Sequence, residues 1–304
     1  MSRGVRAALV GLSCSIAVIG AGTIGFHYRN LTLIPRSLHA ITHGLPQQNL
    51  VKPDQVPRPV QRIVDQPVPI LMFHYVRSVS KSDDPMGYSL SIEPTLFANQ
   101  LDAIKTAGYQ TITPTQLALG DIPANSIMLT FDDGYADFYN TALPLLLERN
   151  MTATTFVVSG FLNDDNHRYL TREQVRSLAD QGFEIGSHTV SHLNLVTADP
   201  RRKQDELLIS RQVLEQITGK RVIALAYPSG KVDDATAIIA DYVGYSIGVT
   251  TQSGVALPTA NQLLLPRIRV HGGESAADLL TAIERSLIGA PNPTDEEFID
   301  PLSS

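Results

Sequence analysis

Seven short, predominantly apolar runs recur from Val68 onward: Val68–Val76 (VPILMFHYV), Ser126–Phe131 (SIMLTF), Ala153–Val158 (ATTFVV), Phe183–His188 (FEIGSH), Val222–Pro228 (VIALAYP), Tyr245–Thr251 (YSIGVTT) and Leu265–His271 (LPRIRVH). Continuous apolar strands of this length are those of a sheet buried on both faces. The segments between them carry helix signals. Phe97, Leu101 and Ile104 share a helical face that Gly108 ends, and Thr171 with Gln174 forms a capping box for a helix stopped at Gly182. Asp199-Pro200 opens a long helix that ends at Gly219, and Phe138–Asn150 reads as a helix in which Pro144 is tolerable only near the first turn. Repeated βα units predict a parallel sheet covered by helices, either closed into a barrel or open. Both versions carry active sites at the C-terminal ends of the strands.

Asp132, Asp133, His188, His192, Pro228 and His271 all fall at or just after such ends. Asp132 and Asp133 pose an electrostatic problem, because adjacent carboxylates repel and a desolvated one is costly without a cation or donor. His188 and His192 are spaced to share one face of a helical turn and so to reach one ion. With one of the two aspartates they make a two-His, one-carboxylate set with positions left for water and substrate, as catalytic zinc requires. The second aspartate then keeps a charge beside the ion and is available as a base.

The formal net charge is −6, and the first 26 residues contribute Arg3 and Arg6 but no acid, so the remainder stands at −8. This argues against nucleic acid as a partner. The single cysteine, Cys14, excludes an intrachain disulfide and a cysteine-based metal site. A basic start (MSRGVR) precedes an uncharged stretch from Ala7 to Phe26, which reads as a cleaved signal peptide or an uncleaved membrane anchor with the rest exported. The expected organisation is therefore an N-terminal apolar segment over 1–26, a proline-containing extended linker over 27–66 and a catalytic domain over 67–304.

LTFDDGY, GSHTVSH and AYPSG resemble the first three motifs of the polysaccharide deacetylase (NodB-homology, carbohydrate esterase) family, with PILMFHYV, ATTFVV and LPRIRV in agreement around them. The resemblance covers Pro67 to about Ala282 and implies a distorted (β/α) barrel of about seven parallel strands. It implies that Asp132 is the catalytic base and that Asp133, His188 and His192 hold one divalent metal, usually zinc, with cobalt or nickel as alternatives. Tyr227, Pro228 and Gly230 match the third motif, which shapes a groove wall, with a backbone N–H near Tyr227 assisting the oxyanion. Ser229 stands where an aromatic is frequent, there is no tryptophan for the fourth motif, and Arg269 replaces the leucine expected two before His271. His271 is the candidate general acid, and His74 a candidate for lining the cleft. The arginine that often precedes the third motif is missing from IALAYP, which leaves Arg267 as the candidate for restraining Asp132.

The expected activity is metal-dependent removal of N-acetyl groups from a GlcNAc-containing polysaccharide such as peptidoglycan, poly-N-acetylglucosamine or chitin, outside the cytoplasm. The alternatives are O-deacetylation of an acetylated xylan-like glycan, or polysaccharide binding at a weakened site. The expected partners are the polysaccharide and, if the N-terminal segment is retained, the membrane.

Overall fold

A computed structural model describes residues 66–289. The N-terminal apolar segment and almost all of the expected linker lie outside the described residues. Within them, no helix is long and apolar enough to cross a membrane.

Seven parallel strands close into a barrel: β1 Ile70–Phe73, β2 Ser126–Phe131, β3 Thr154–Val157, β4 Glu184–Ser187, β5 Ala224–Ala226, β6 Ile247–Ser253 and β7 Leu265–Arg269. Each pairs with its neighbour in sequence, and β1 closes the ring by pairing with both β2 (Ile70↔Met128) and β7 (Leu71↔Ile268). The β6·β7 register shifts between Leu265 and Arg267. The expected first strand is shorter than its apolar run. It breaks at His74, and Tyr75–Val76 pairs instead with a second short strand, Ser91–Ile92.

The helices are α1 Pro85–Leu90, α2 Pro94–Thr106, α3 Pro114–Leu119, α4 Leu143–Glu148, α5 Arg172–Asp180, α6 Pro200–Thr218, α7 Asp234–Val243 and α8 Ala276–Leu287. Both capping signals appear as expected: Thr171 and Gln174 cap α5 reciprocally, and Asp199 accepts the first N–H groups of α6. Phe138–Ala142 forms one π turn, so Pro144 falls in the first turn of α4, where its missing N–H removes no helical bond.

The period of two in each strand divides the core. Leu71, Phe73, Leu129, Phe131, Val157, Leu225 and Ile268 join the cluster that includes Phe97 and Leu101 of α2, Leu207 of α6 and Leu279 of α8. Ile70, Met128, Phe156, Ala224, Ala226, Val249 and Leu265 form a separate inner cluster. The inward row of β2 runs Met128, Thr130 and then Asp132, and the same parity on β4 leads to His188. Chemistry-bearing side chains at the strand ends thus continue the rows that fill the barrel.

Candidate metal centre

Asp132 extends the β1·β2 ladder, its N–H donating to Phe73 O at 3.0 Å, so its side chain stays inward. The next two residues turn left-handed, Asp133 at φ 73° and Gly134 at φ 74°. This turn aims the two adjacent carboxylates at different partners. It also needs a glycine, because a Cβ at Gly134 would meet Val157 Cα at 3.2 Å.

Asp132 and Asp133 are both almost fully buried. Asp132 meets Arg267, itself 1% exposed, in a two-bond fork: Nη1 to Oδ1 at 2.8 Å and Nη2 to Oδ2 at 2.6 Å. Arg267 also donates to Thr130 Oγ1 (3.1 Å) and Thr250 O (2.8 Å), which fixes the plane of the guanidinium. Burial pushes the Asp132 carboxyl up, but the charge and hydrogen bonds of Arg267 outweigh it and hold the group well below the usual carboxylate range. Arg267 thus compensates Asp132, while Asp133 faces the histidines.

Asp133 Oδ1 lies 3.4 Å from His188 Nε2 and 3.5 Å from His192 Nε2. One ligand atom from each of the three residues falls within 4.8 Å of the others, the one such cluster among the described residues. His188 Nδ1 donates to Ala226 O at 2.7 Å, so Nε2 presents a lone pair toward Asp133. Burial raises the Asp133 carboxyl, and the contacts with His188, His74 and His192 more than reverse it. Burial also disfavours charge on His188, and Asp133 reverses that shift upward. Three buried groups whose lone pairs converge, with one ring locked in the right tautomer, fit a divalent cation of the zinc type.

The helical turn expected for His188–His192 is not what joins them. Thr189 (φ 66°) and His192 (φ 57°) are left-handed, and the chain forms an irregular turn. Thr189 Oγ1 accepts the His192 N–H at 3.0 Å. A residue that the sequence reading missed, Glu206 of α6, holds the turn from outside. Its carboxylate accepts Val190 N–H (2.8 Å), Ser191 N–H (2.9 Å) and the Ser191 hydroxyl (2.7 Å), and pairs with Arg202 (2.6 Å). The available signal was an acid among the buried positions of an otherwise amphipathic helix, beside Leu207 and Ser210.

The third-motif residues lie after β5. Pro228 is buried, Ser229 is left-handed at φ 55°, and a Cβ on Gly230 would strike Thr251 Oγ1 at 2.1 Å. The Tyr227 ring is wholly within the core, and its N–H donates to Val249 O at 3.2 Å as a continuation of the β5·β6 ladder. The Tyr227 ring is thus engaged in packing and its N–H in strand pairing. His74 ends β1. Burial lowers its pKa, more than the nearby Asp133 and Asp132 charges raise it. His271 follows β7, and its N–H donates to Glu274 Oε2 at 2.8 Å. Beside the centre, the rings of Tyr75 and Tyr135 stack at 3.7 Å and those of Tyr135 and Tyr169 at 5.1 Å, with Arg77 Cζ 3.6 Å over Tyr75.

Residues 120–248 match the family model described as polysaccharide deacetylase. YxkH of Bacillus subtilis (strain 168), whose own name as a polysaccharide deacetylase is provisional, is 32% identical over 222 residues, which is 71% of this chain and 76% of the relative. The solved structure of the Streptococcus pyogenes deacetylase PplD in complex with acetate is 33% identical, superposes with a TM-score of 0.66, and is matched over 97% of its length and 71% of this chain. The chain belongs to the polysaccharide deacetylase family. This deacetylase is also similar to the poly-β-1,6-N-acetyl-D-glucosamine N-deacetylase of Staphylococcus aureus (strain NCTC 8325 / PS 47), at 22% identity over 213 residues, 65% of this chain and 73% of that one. The closed seven-strand barrel of the deacetylase is thus the family fold, and the chain is a carbohydrate deacetylase.

Proposed function

We propose that the protein hydrolyses N-acetyl groups on a GlcNAc-containing polysaccharide with the help of one divalent ion, zinc in the first instance, held by Asp133, His188 and His192. The observation that carries this reading is the Arg267-clamped Asp132 directly beside a convergent Asp–His–His set. The likeness to the staphylococcal N-deacetylase supports an N-acetylated glycan as substrate.

A divalent cation at such a site lowers the pKa of a water toward neutrality and polarises an acyl carbonyl. Asp132 is the base. Both its oxygens accept from Arg267 but retain lone pairs, and the arginine keeps the group ionised and oriented. As that water's oxygen bonds to the acetamide carbon, Asp132 takes the proton. When the C–N bond breaks, His271 in its protonated form gives a proton to the leaving amine, acetate and a free amino sugar result, and Asp132 and His271 regain their starting protonation by exchange with solvent. His74, directly after β1, lines the same mouth. The reading puts catalysis outside the cytoplasm, with residues 1–26 as signal or anchor, 27–66 as linker and 67–304 as the catalytic domain.

The test is acetate release by the full chain from chito-oligosaccharides, poly-β-1,6-N-acetylglucosamine and acetylated xylan, with zinc, with chelator and with Asp132→Asn. Chelator-sensitive release from the amino sugars, abolished in Asp132→Asn, is expected. Release from xylan alone would transfer the assignment to an esterase, and full activity in chelator would refute the metal.

A further inference from the structure

Helix α2 buries one face, on which Phe97, Leu101 and Ile104 recur at helical spacing. Gln100 stands on that same face and is 0% exposed. An aliphatic side chain would fill the position without needing a hydrogen bond. The amide meets only part of its need. Among the described residues its Oε1 has no hydrogen-bond partner, and a buried polar atom left so costs stability. Its Nε2 does have one, donating to Glu274 O at 2.7 Å across 174 residues of sequence. A carbonyl only accepts, so this contact fixes which end of the amide faces it. The residue serves that one bond and weakens the core around it.

The bond reaches the turn that carries His271. Val270 N–H donates to Met72 O at 3.1 Å, which continues the β1·β7 ladder one residue beyond the strand. The chain then reverses over His271, Gly272, Gly273 and Glu274. His271 N–H donates to Glu274 Oε2 at 2.8 Å, and Glu274 N–H to His271 O at 3.1 Å, so the two residues hold each other through side chain and main chain. Gly273, at φ 78°, supplies the left-handed third residue of the turn. The next residue, Ser275, caps α8. Glu274 thus ties His271 down, and Gln100 ties Glu274 to α2.

We propose that Gln100 is a positioning residue for deacetylation: through Glu274 it sets where the His271 imidazole stands when the leaving nitrogen takes its proton. The proposal rests on His271 as the acid in the reading above and adds the residue that holds it. It accounts for an amide in the core, because a misplacement of about 1 Å in a catalytic group costs up to about a hundredfold in rate.

The test uses the full chain with zinc and the substitution Gln100→Met, which keeps an unbranched side chain and removes the donor. Acetate release is compared on the glycan that the chain deacetylates and on p-nitrophenyl acetate, whose phenolate leaves without a proton from the enzyme. On the glycan, kcat is expected to fall about ten- to hundredfold at unchanged KM, against less than about twofold on the aryl ester. In a His271→Ala background the same substitution is expected to add no further loss. The thermal unfolding midpoint should be equal or higher, since a thioether suits a core better than a half-satisfied amide. Hydrogen exchange at the His271 and Glu274 amides, read without substrate, should accelerate. Equal losses on glycan and aryl ester, a further loss in His271→Ala, or unchanged amide exchange overturns the positioning role. His271→Ala as active as the native chain on the glycan would remove the acid and this proposal with it. An impaired His271→Ala beside a fully active Gln100→Met would remove Gln100 alone and leave the acid standing.

Discussion

At the scale of single residues, the decisive arrangement is the division of two adjacent negative charges between different partners. Asp132 is neutralised by a buried arginine from the last strand, and Asp133 faces two imidazoles with which it could hold a cation. Removing one member of a buried pair strands the other, at a cost of about 3–5 kcal/mol. Arg267→Ala is therefore expected to lose about that much in urea unfolding, and Arg267→Lys less. Lysine keeps the charge but not the fork, so Arg267→Lys should still lower kcat tenfold or more, since Asp132 is no longer held in one plane. An Arg267→Ala chain as stable as the native one would show that the pair does not compensate burial.

At the scale of elements, the His188–His192 turn depends on a carboxylate outside the Asp–His–His set. Glu206 on α6 holds the His188–His192 turn through two backbone N–H groups and a hydroxyl. Loss of such outer support typically costs 10–100-fold in metal affinity. Glu206→Ala should thus weaken zinc binding by about that factor in chelator competition while the far-UV circular dichroism stays native. An unchanged zinc Kd would rule the clamp out.

Asp137 links two further elements by accepting the Val76 N–H from the turn that follows β2. Burial pushes its carboxyl up to about 6, despite the opposing Val76 bond and Arg77 charge. Unfolded aspartate titrates near 3.9, so the folded state binds the extra proton between those values. The stability that this proton contributes is complete below about pH 4 and is lost as pH rises through 6. Asp137→Asn keeps the acceptor and removes the titration. Its stability relative to the native chain should therefore improve from pH 4 to pH 7, and a difference that is flat with pH would exclude the linkage.

At the scale of the whole molecule, the barrel was legible because each strand is a compact apolar run closed by polar residues, as in SIMLTF followed by two aspartates. The local breaks were not legible. Both halves of the run around His74 are apolar, so periodicity carried no sign that β1 pairs with β2 and β7 while Tyr75–Val76 pairs with Ser91–Ile92. Thr189 and His192 adopt left-handed backbone without being glycine or asparagine, so their spacing suggested a helix that tertiary bonds override. Asp132, Asp133, His188 and His192 stood out as charges and imidazoles at strand ends, and Arg267 as a cation within an apolar strand. Glu206 did not, because its partners are main-chain groups 15 and 16 residues away that every sequence possesses.

The Asp132–Arg267 bond spans 135 residues of sequence, and the strand carrying Arg267 is also the one that closes the ring against β1. Contacts of such separation reward the chain only after a long loop has been closed. During synthesis, then, the ligands Asp133, His188 and His192 all emerge well before the residue that makes burial of their neighbour tolerable. Burial of Asp132 and closure of the barrel are therefore one event, and both wait on the last strand that the ribosome delivers.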